Sequence, residues 1–161
     1  MGWQDLQDAE PELARFGAAR LGGGGPSFLA TVGEDGAPRV HPVTPILAPG
    51  RLFVFMEPTS PKGRDLERGS GYALHGPVED HAGGSGEFRV RGHGRPVTDP
   101  DVRAEAVAHA TYDPADRYVL FELSLDDAFA TEYVDGEPIR RHWARPREAA
   151  GDRADLTRGR S

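Results

Sequence analysis

Glu87-Phe88-Arg89-Val90-Arg91-Gly92-His93 alternates with a period of two. Phe88, Val90 and Gly92 fall on one face, while Glu87, Arg89, Arg91 and His93 fall on the other. Successive side chains of a strand point to opposite faces, so the stretch predicts a half-exposed strand over Glu87–Val97. The same short period recurs outward in both directions, broken by Gly, Pro and Asp. Upstream it predicts strands at Ser27–Val32, Pro38–Leu47, Arg51–Met56 and Tyr72–Val78; downstream, at Arg117–Leu125, Ala128–Val134 and Ile139–Trp143. Glu34-Asp35-Gly36 and Pro49-Gly50 supply turn chemistry between the first three, as a meander requires.

Helical spacing is confined to short stretches. Leu13, Phe16, Ala19 and Arg20 place a helix over Pro11–Leu21, stopped by Gly22–Gly25. Ser60-Pro61 opens a second helix that Gly69 ends, and Asp99-Pro100 caps a third over Asp101–Thr111. Eight strands with minor helices predict a mainly β fold: an antiparallel barrel, closed or partly closed, with a few short peripheral helices. The glycine cluster Gly22–Gly25 precedes a strand, whereas a dinucleotide fingerprint follows one, so it reads as linker. The chain is expected to be one domain over 1–144, with the barrel at about 26–143. From Arg145 almost nothing is apolar, which predicts a disordered tail over 145–161.

Composition narrows the chemistry. The 161 residues carry 19 Lys plus Arg against 26 Asp plus Glu, a net charge of −7, which disfavours attraction to nucleic acid or anionic membrane. No apolar run approaches the roughly 20 residues that cross a bilayer. Met1-Gly2-Trp3-Gln4-Asp5 lacks signal-peptide features, so a cytoplasmic protein is expected. The absence of cysteine excludes disulfides, thiolate nucleophiles and Cys-held metal clusters. The six histidines show no His-Glu-x-x-His spacing and no metal site is expected; the lack of a Gly-x-Ser-x-Gly elbow gives hydrolysis no support.

Two stretches carry candidate chemistry. In Thr59-Ser60-Pro61-Lys62-Gly63-Arg64-Asp65-Leu66, two cations sit at the positive end of a helix, where an anion would relieve the repulsion and Ser60 could add its hydroxyl. The alternative is a capped surface helix whose cations face water. Lys62 is the single lysine beside eighteen arginines, which suggests a compact point charge is wanted there. In Pro38-Arg39-Val40-His41-Pro42-Val43-Thr44-Pro45, the prolines cannot donate to a ladder, so this strand is an edge or is bulged. It leaves backbone open to a flat heterocycle, or it merely guards the sheet edge.

Together with Leu52-Phe53-Val54-Phe55 and with Gly86–Gly92 after Tyr72–His75, these stretches resemble the pyridoxamine-phosphate-oxidase-like FMN-binding split barrels, the flavin/deazaflavin oxidoreductases among them. The resemblance runs from about Glu10 to Trp143. It implies a homodimer with cofactors at the subunit interface. It implies that Arg39, Val40, His41, Pro42, Val43 and Thr44 lie along the isoalloxazine, and that Phe55 and Met56 touch the ring or ribityl chain. Ser60 and Lys62 would hold the phosphate with Arg64 as an addition, and Trp143 is either a late aromatic near the cofactor or core packing. His41 is the candidate for proton handling or flavin tuning. No counterpart of the C-terminal substrate segment of true pyridoxamine phosphate oxidases is visible, which argues against vitamin B6 as substrate. The loop His81-Ala82-Gly83-Gly84-Ser85 either reshapes a pocket or is idle. The leading expectation is an FMN-dependent oxidoreductase acting on a small molecule. A deazaflavin coenzyme is the rival cofactor, a flavin- or haem-binding module is the non-enzymatic alternative, and a cofactor-free structural dimer is the third class.

Overall fold

The computed structural model describes residues 1–23 and 25–146. The predicted tail falls outside the described residues from position 147 onward. In chain order the elements are α1 (Trp3–Ala9), α2 (Pro11–Gly22), β1 (Ser27–Val32), β2 (Pro38–Val43), β3 (Ile46–Ala48), β4 (Arg51–Met56), α3 (Pro61–Glu67), β5 (Gly71–His75), β6 (Glu87–Val97), α4 (Pro100–His109), β7 (Val119–Leu123), β8 (Asp127–Val134) and β9 (Glu137–Ala144).

The strands pair antiparallel in the order β2-β1-β5-β6-β7-β4-β3, with β8 also on β6 and β9 on β8. β2 and β3 stand at opposite ends of that order, yet only Thr44 and Pro45 separate them in sequence. Such a link reaches at most about 10 Å. The sheet therefore curls until its two ends nearly meet, giving a half-barrel with an open seam at Thr44-Pro45.

This overturns two expectations. Pro38–Leu47 is two strands, because Pro45 has no N–H to continue a ladder and the chain leaves the sheet there. The first three strands are not a meander, since β2 pairs with β1 on one side of the seam while β3 pairs with β4 on the other. A helix the sequence reading left out, α1, buries Trp3 and Leu6, three residues apart, and the Asp5 carboxylate accepts the Gly2 N–H at 2.6 Å.

β4 is buried on both faces for a clear reason. Leu52, Val54 and Met56 enter the main core with Leu29, Leu74, Phe88, Val90 and Phe121, under Leu6 and Leu13 of the N-terminal helices. Phe53 and Phe55 point the other way, into a second cluster with Ile46, Leu120 and Ala106 beneath α4. Each fully buried side chain of this size contributes roughly 1.5–3 kcal/mol. β6 is long enough to serve both parts of the sheet: Glu87–Arg91 pair with β8 and Gly94–Val97 with β7. Between them the chain turns at Ser124, whose carbonyl oxygen would lie 1.9 Å from any Cβ at Gly92, so only glycine permits that corner.

A candidate cofactor cleft at the barrel seam

A cleft of about 280 Å³ opens at the seam. From β2 and the link after it come Pro42, Val43 and Thr44; from the end of β4 come Phe55, Met56 and Glu57. Lys62 of α3, Pro26, and Tyr112 and Tyr118 of the segment between α4 and β7 complete the wall. The seam explains the grouping, because it is where β2, β4 and the start of α3 converge.

Lys62 is half-buried and donates to the Ser60 hydroxyl at 3.1 Å. Burial pushes its pKa below the ordinary ammonium range, and no carboxylate among the described residues offsets this loss of hydration. Ser60 occupies the N-cap position but makes no side-chain cap bond, contrary to expectation. Its buried hydroxyl turns to Lys62 instead. α3 has seven residues and no acid in its first turn. A helix that short has a small dipole, so the cationic character of the site rests on the Lys62 side chain.

α3 is held in place by Asp65, which is 1% exposed. The Thr31 hydroxyl donates to it at 2.8 Å and Arg68 at 2.6 Å, while the Arg39 guanidinium lies 3.3 Å away. Thr31 and Arg39 are direct cross-strand partners, so this carboxylate ties α3 to β1 and β2 at once. Burial pushes the Asp65 carboxyl up, but the hydrogen bonds from Arg68 and Thr31 and the charges of Arg39 and Arg68 outweigh it and hold the pKa below the usual carboxylate range.

The residues expected from the sequence divide accordingly. Pro42, Val43, Thr44, Phe55, Met56 and Lys62 line the cleft, and Ser60 reaches it through Lys62. Arg39 is engaged with Asp65, Val40 is exposed on the outer face of β2, and Arg64 is exposed on α3. Trp143 sits in the main core. His41 is half-buried, and its Nε2 is buried with no hydrogen-bond partner. Tyr112, Tyr118 and Glu57 were not foreseen. Aromatic residues in a Pro- and Asp-rich connection were the available signal.

The far side of the cleft is stiffened by two arginines. Arg117 donates through Nε to Glu57 at 3.1 Å, and its guanidinium lies 5.0 Å from the centre of the Tyr118 ring. Arg103 donates to the Tyr118 carbonyl at 2.7 Å and stacks 4.9 Å from the Phe55 ring.

A curled antiparallel sheet, open along one seam with a cleft there, defines the split-barrel class of fold. Residues 20–132, more than half of the chain, match the family model of pyridoxamine 5'-phosphate oxidase, and the chain belongs to that family. A comparison with curated proteins finds no match. Among solved structures, a pyridoxamine 5'-phosphate oxidase-related, FMN-binding protein from Nostoc punctiforme is similar at TM-score 0.66 and 14% identity, over 89% of this chain and 93% of that one. A haem-binding protein from Mycobacterium smegmatis is similar at TM-score 0.63 and 16% identity over 84% of this chain, which spans 59% of that protein's length. General stress protein 26 from Bacillus anthracis is similar at TM-score 0.56 and 19% identity, over 79% and 97%. Among the described residues, no helix is long and apolar enough to cross a membrane.

Proposed function

We propose that the chain binds FMN in the seam cleft and acts as a cytoplasmic, homodimeric oxidoreductase on a small molecule. One observation carries this reading: the Lys62 ammonium, partly stripped of water and not ion-paired among the described residues, faces a cleft that also presents Pro42, Val43, Phe55 and Met56, while the acid of that cleft, Glu57, is paired with Arg117. A phosphate on a flat, uncharged body fits that pattern. Lys62 and the Ser60 hydroxyl would hold the phosphate, and Pro42, Val43, Thr44, Phe55 and Met56 would face the ribityl chain and ring.

FMN, when bound, supplies the capacity to accept and donate electrons or a hydride. The chain's own residues bind, orient and exclude water. His41 Nε2, lacking a partner, is the atom suited to hold a proton near the ring strand. The exposed outer-face side chains Phe28, Val32 and Val40, on strands that pair directly, support a second copy packing beside the cleft.

Titration of the apoprotein with FMN, riboflavin and the deazaflavin coenzyme tests the reading, with mass spectrometry of any co-purifying molecule. Tight FMN binding that depends on Lys62 supports it. Preferential binding of the deazaflavin coenzyme or of haem would replace the cofactor.

A further inference from the structure

The loop between β5 and β6 and the β8–β9 hairpin enclose a pocket of about 310 Å³. It is separate from the seam cleft, since β1 and β5 lie between β2 and β6 in the sheet. Strand register builds its floor. Phe129, Thr131 and Tyr133 are alternate residues of β8 and share one face, and Thr131 is the direct partner of Glu87 on β6 and of Arg140 on β9. An acid, a hydroxyl and a cation therefore stand in a line across three strands, with an aromatic residue on either side of the hydroxyl.

The loop that forms the other wall is pinned. Asp80 accepts the N–H groups of Gly84 at 3.0 Å and Ser85 at 2.8 Å, while Arg20 of α2 donates to the Ser85 carbonyl and lies 3.1 Å from Glu79. Gly86 passes β8 with a φ of 81°, so close that any Cβ would strike the Thr131 carbonyl oxygen. These contacts hold Val78 and Gly83 at the pocket in advance, which spares part of the ordering cost of binding. Glu87 makes its ionic contact with His75 Nε2, at 3.5 Å, rather than with Arg140, and its contact with the Thr131 hydroxyl is equally long at 3.5 Å. Two strand spacings, about 10 Å, separate the backbones of the acid and the cation, which leaves room for a small ligand between their charged ends.

We propose that this pocket is a second ligand site, and that its ligand is a free α-amino acid with an aromatic side chain. The ammonium group meets Glu87, the carboxylate meets Arg140, and the Thr131 hydroxyl bonds between them. The ring lies against Phe129, which Arg89 steadies from 5.5 Å, and against Tyr133, which is 45% exposed. A zwitterion is favoured because a ligand of one charge displaces water from the opposite charge of the site without replacing it. The inference stands apart from the FMN reading, which concerns the seam.

The test is calorimetric titration of the purified full chain, with and without FMN, using three probes that share a phenyl ring: L-phenylalanine, 3-phenylpropanoate and 2-phenylethylamine. The wild type is expected to bind L-phenylalanine at least about tenfold more tightly than either singly charged probe. Arg140→Gln, at an exposed position, is expected to make L-phenylalanine no better than the amine, and Glu87→Gln, which keeps the shape of the side chain, no better than the propanoate. Saturating FMN should leave the L-phenylalanine affinity within about twofold. Equal binding of the three probes, variants that bind like the wild type, or no saturable binding of L-phenylalanine by about 10 mM would overturn the inference. Competition between L-phenylalanine and FMN would overturn it as well, because the pocket would then be part of the cofactor site. A chain that binds L-phenylalanine in this pattern but not FMN would sustain the inference and sink the FMN reading instead.

Discussion

The Lys62 ammonium donates to the Ser60 hydroxyl at 3.1 Å, so one flexible side chain is aimed across the first turn of α3 rather than left in water. A phosphate held there gains a charge-assisted bond worth roughly 1.5–3 kcal/mol. Lys62→Ala is expected to weaken FMN binding by about ten- to a hundredfold in apoprotein titrations, with little change for riboflavin, which has the ring but no phosphate. Equal loss for both ligands, or loss for neither, would place the phosphate elsewhere.

Asp65 predicts a pH dependence of stability. Its folded pKa lies below the unfolded value of about 3.9, so its contribution is fully present above that pH and is lost as pH falls through the folded pKa. Asp65→Asn is expected to lower stability at neutral pH by about 1–3 kcal/mol, a range reduced by the partial exposure of Arg39 and Arg68. Urea midpoints of wild type and variant should converge below about pH 4. A gap that stays constant down to acid pH would contradict the ion-pair account.

His41→Ala is expected to move the midpoint potential of bound FMN, or turnover with a competent substrate, while changing FMN affinity by less than about fivefold, the equivalent of one ordinary hydrogen bond. Spectroelectrochemical titration gives the potential. An unchanged potential together with unchanged kinetics would leave His41 a packing residue of β2.

Val40 is 63% exposed on the outer face of β2 and flanks Phe28 and Val32. In the proposed homodimer it faces the second copy, so Val40→Arg is expected to shift the sedimenting species from dimer to monomer and to weaken FMN binding in parallel. A wild-type monomer that binds FMN tightly would contradict the shared site.

Local rules made much of the fold legible. Phe88, Val90 and Gly92 are all buried, as the alternation of β6 required, and the Asp99 carboxylate caps α4 by accepting from the Asp101 N–H at 2.9 Å. Partner choice was less accessible. Pro45 announces a break in the ladder, but nothing near it states that the next three residues join the opposite end of the sheet, since that outcome depends on the curl of the whole sheet. α1 was missed because seven residues show too little periodicity, with Trp3 and Leu6 as the entire signal.

The cleft was legible where it lies on regular elements or directly beside them: Pro42 and Val43 at the end of β2 with Thr44 just after it, Phe55 and Met56 of β4, and Lys62 of α3. Arg39 could not be separated from that group by local sequence. Its partner Asp65 belongs to a different element and is brought beside it only by packing. Tyr112 and Tyr118 stand in a connection with no period at all, where neither facing nor neighbours can be inferred from spacing.

The two-residue link between β2 and β3 makes the width of the cleft a property of the entire sheet. Thr44-Pro45 is too short to act as a hinge, so prising the seam apart must unwind the curl that β1, β5, β6, β7 and β4 share. Occupation of the cleft then works like a wedge in a spring clip. Its effect should appear as slower amide exchange in strands far from the ligand, along β5 and β6 as well as at the mouth, rather than as the closing of a local flap.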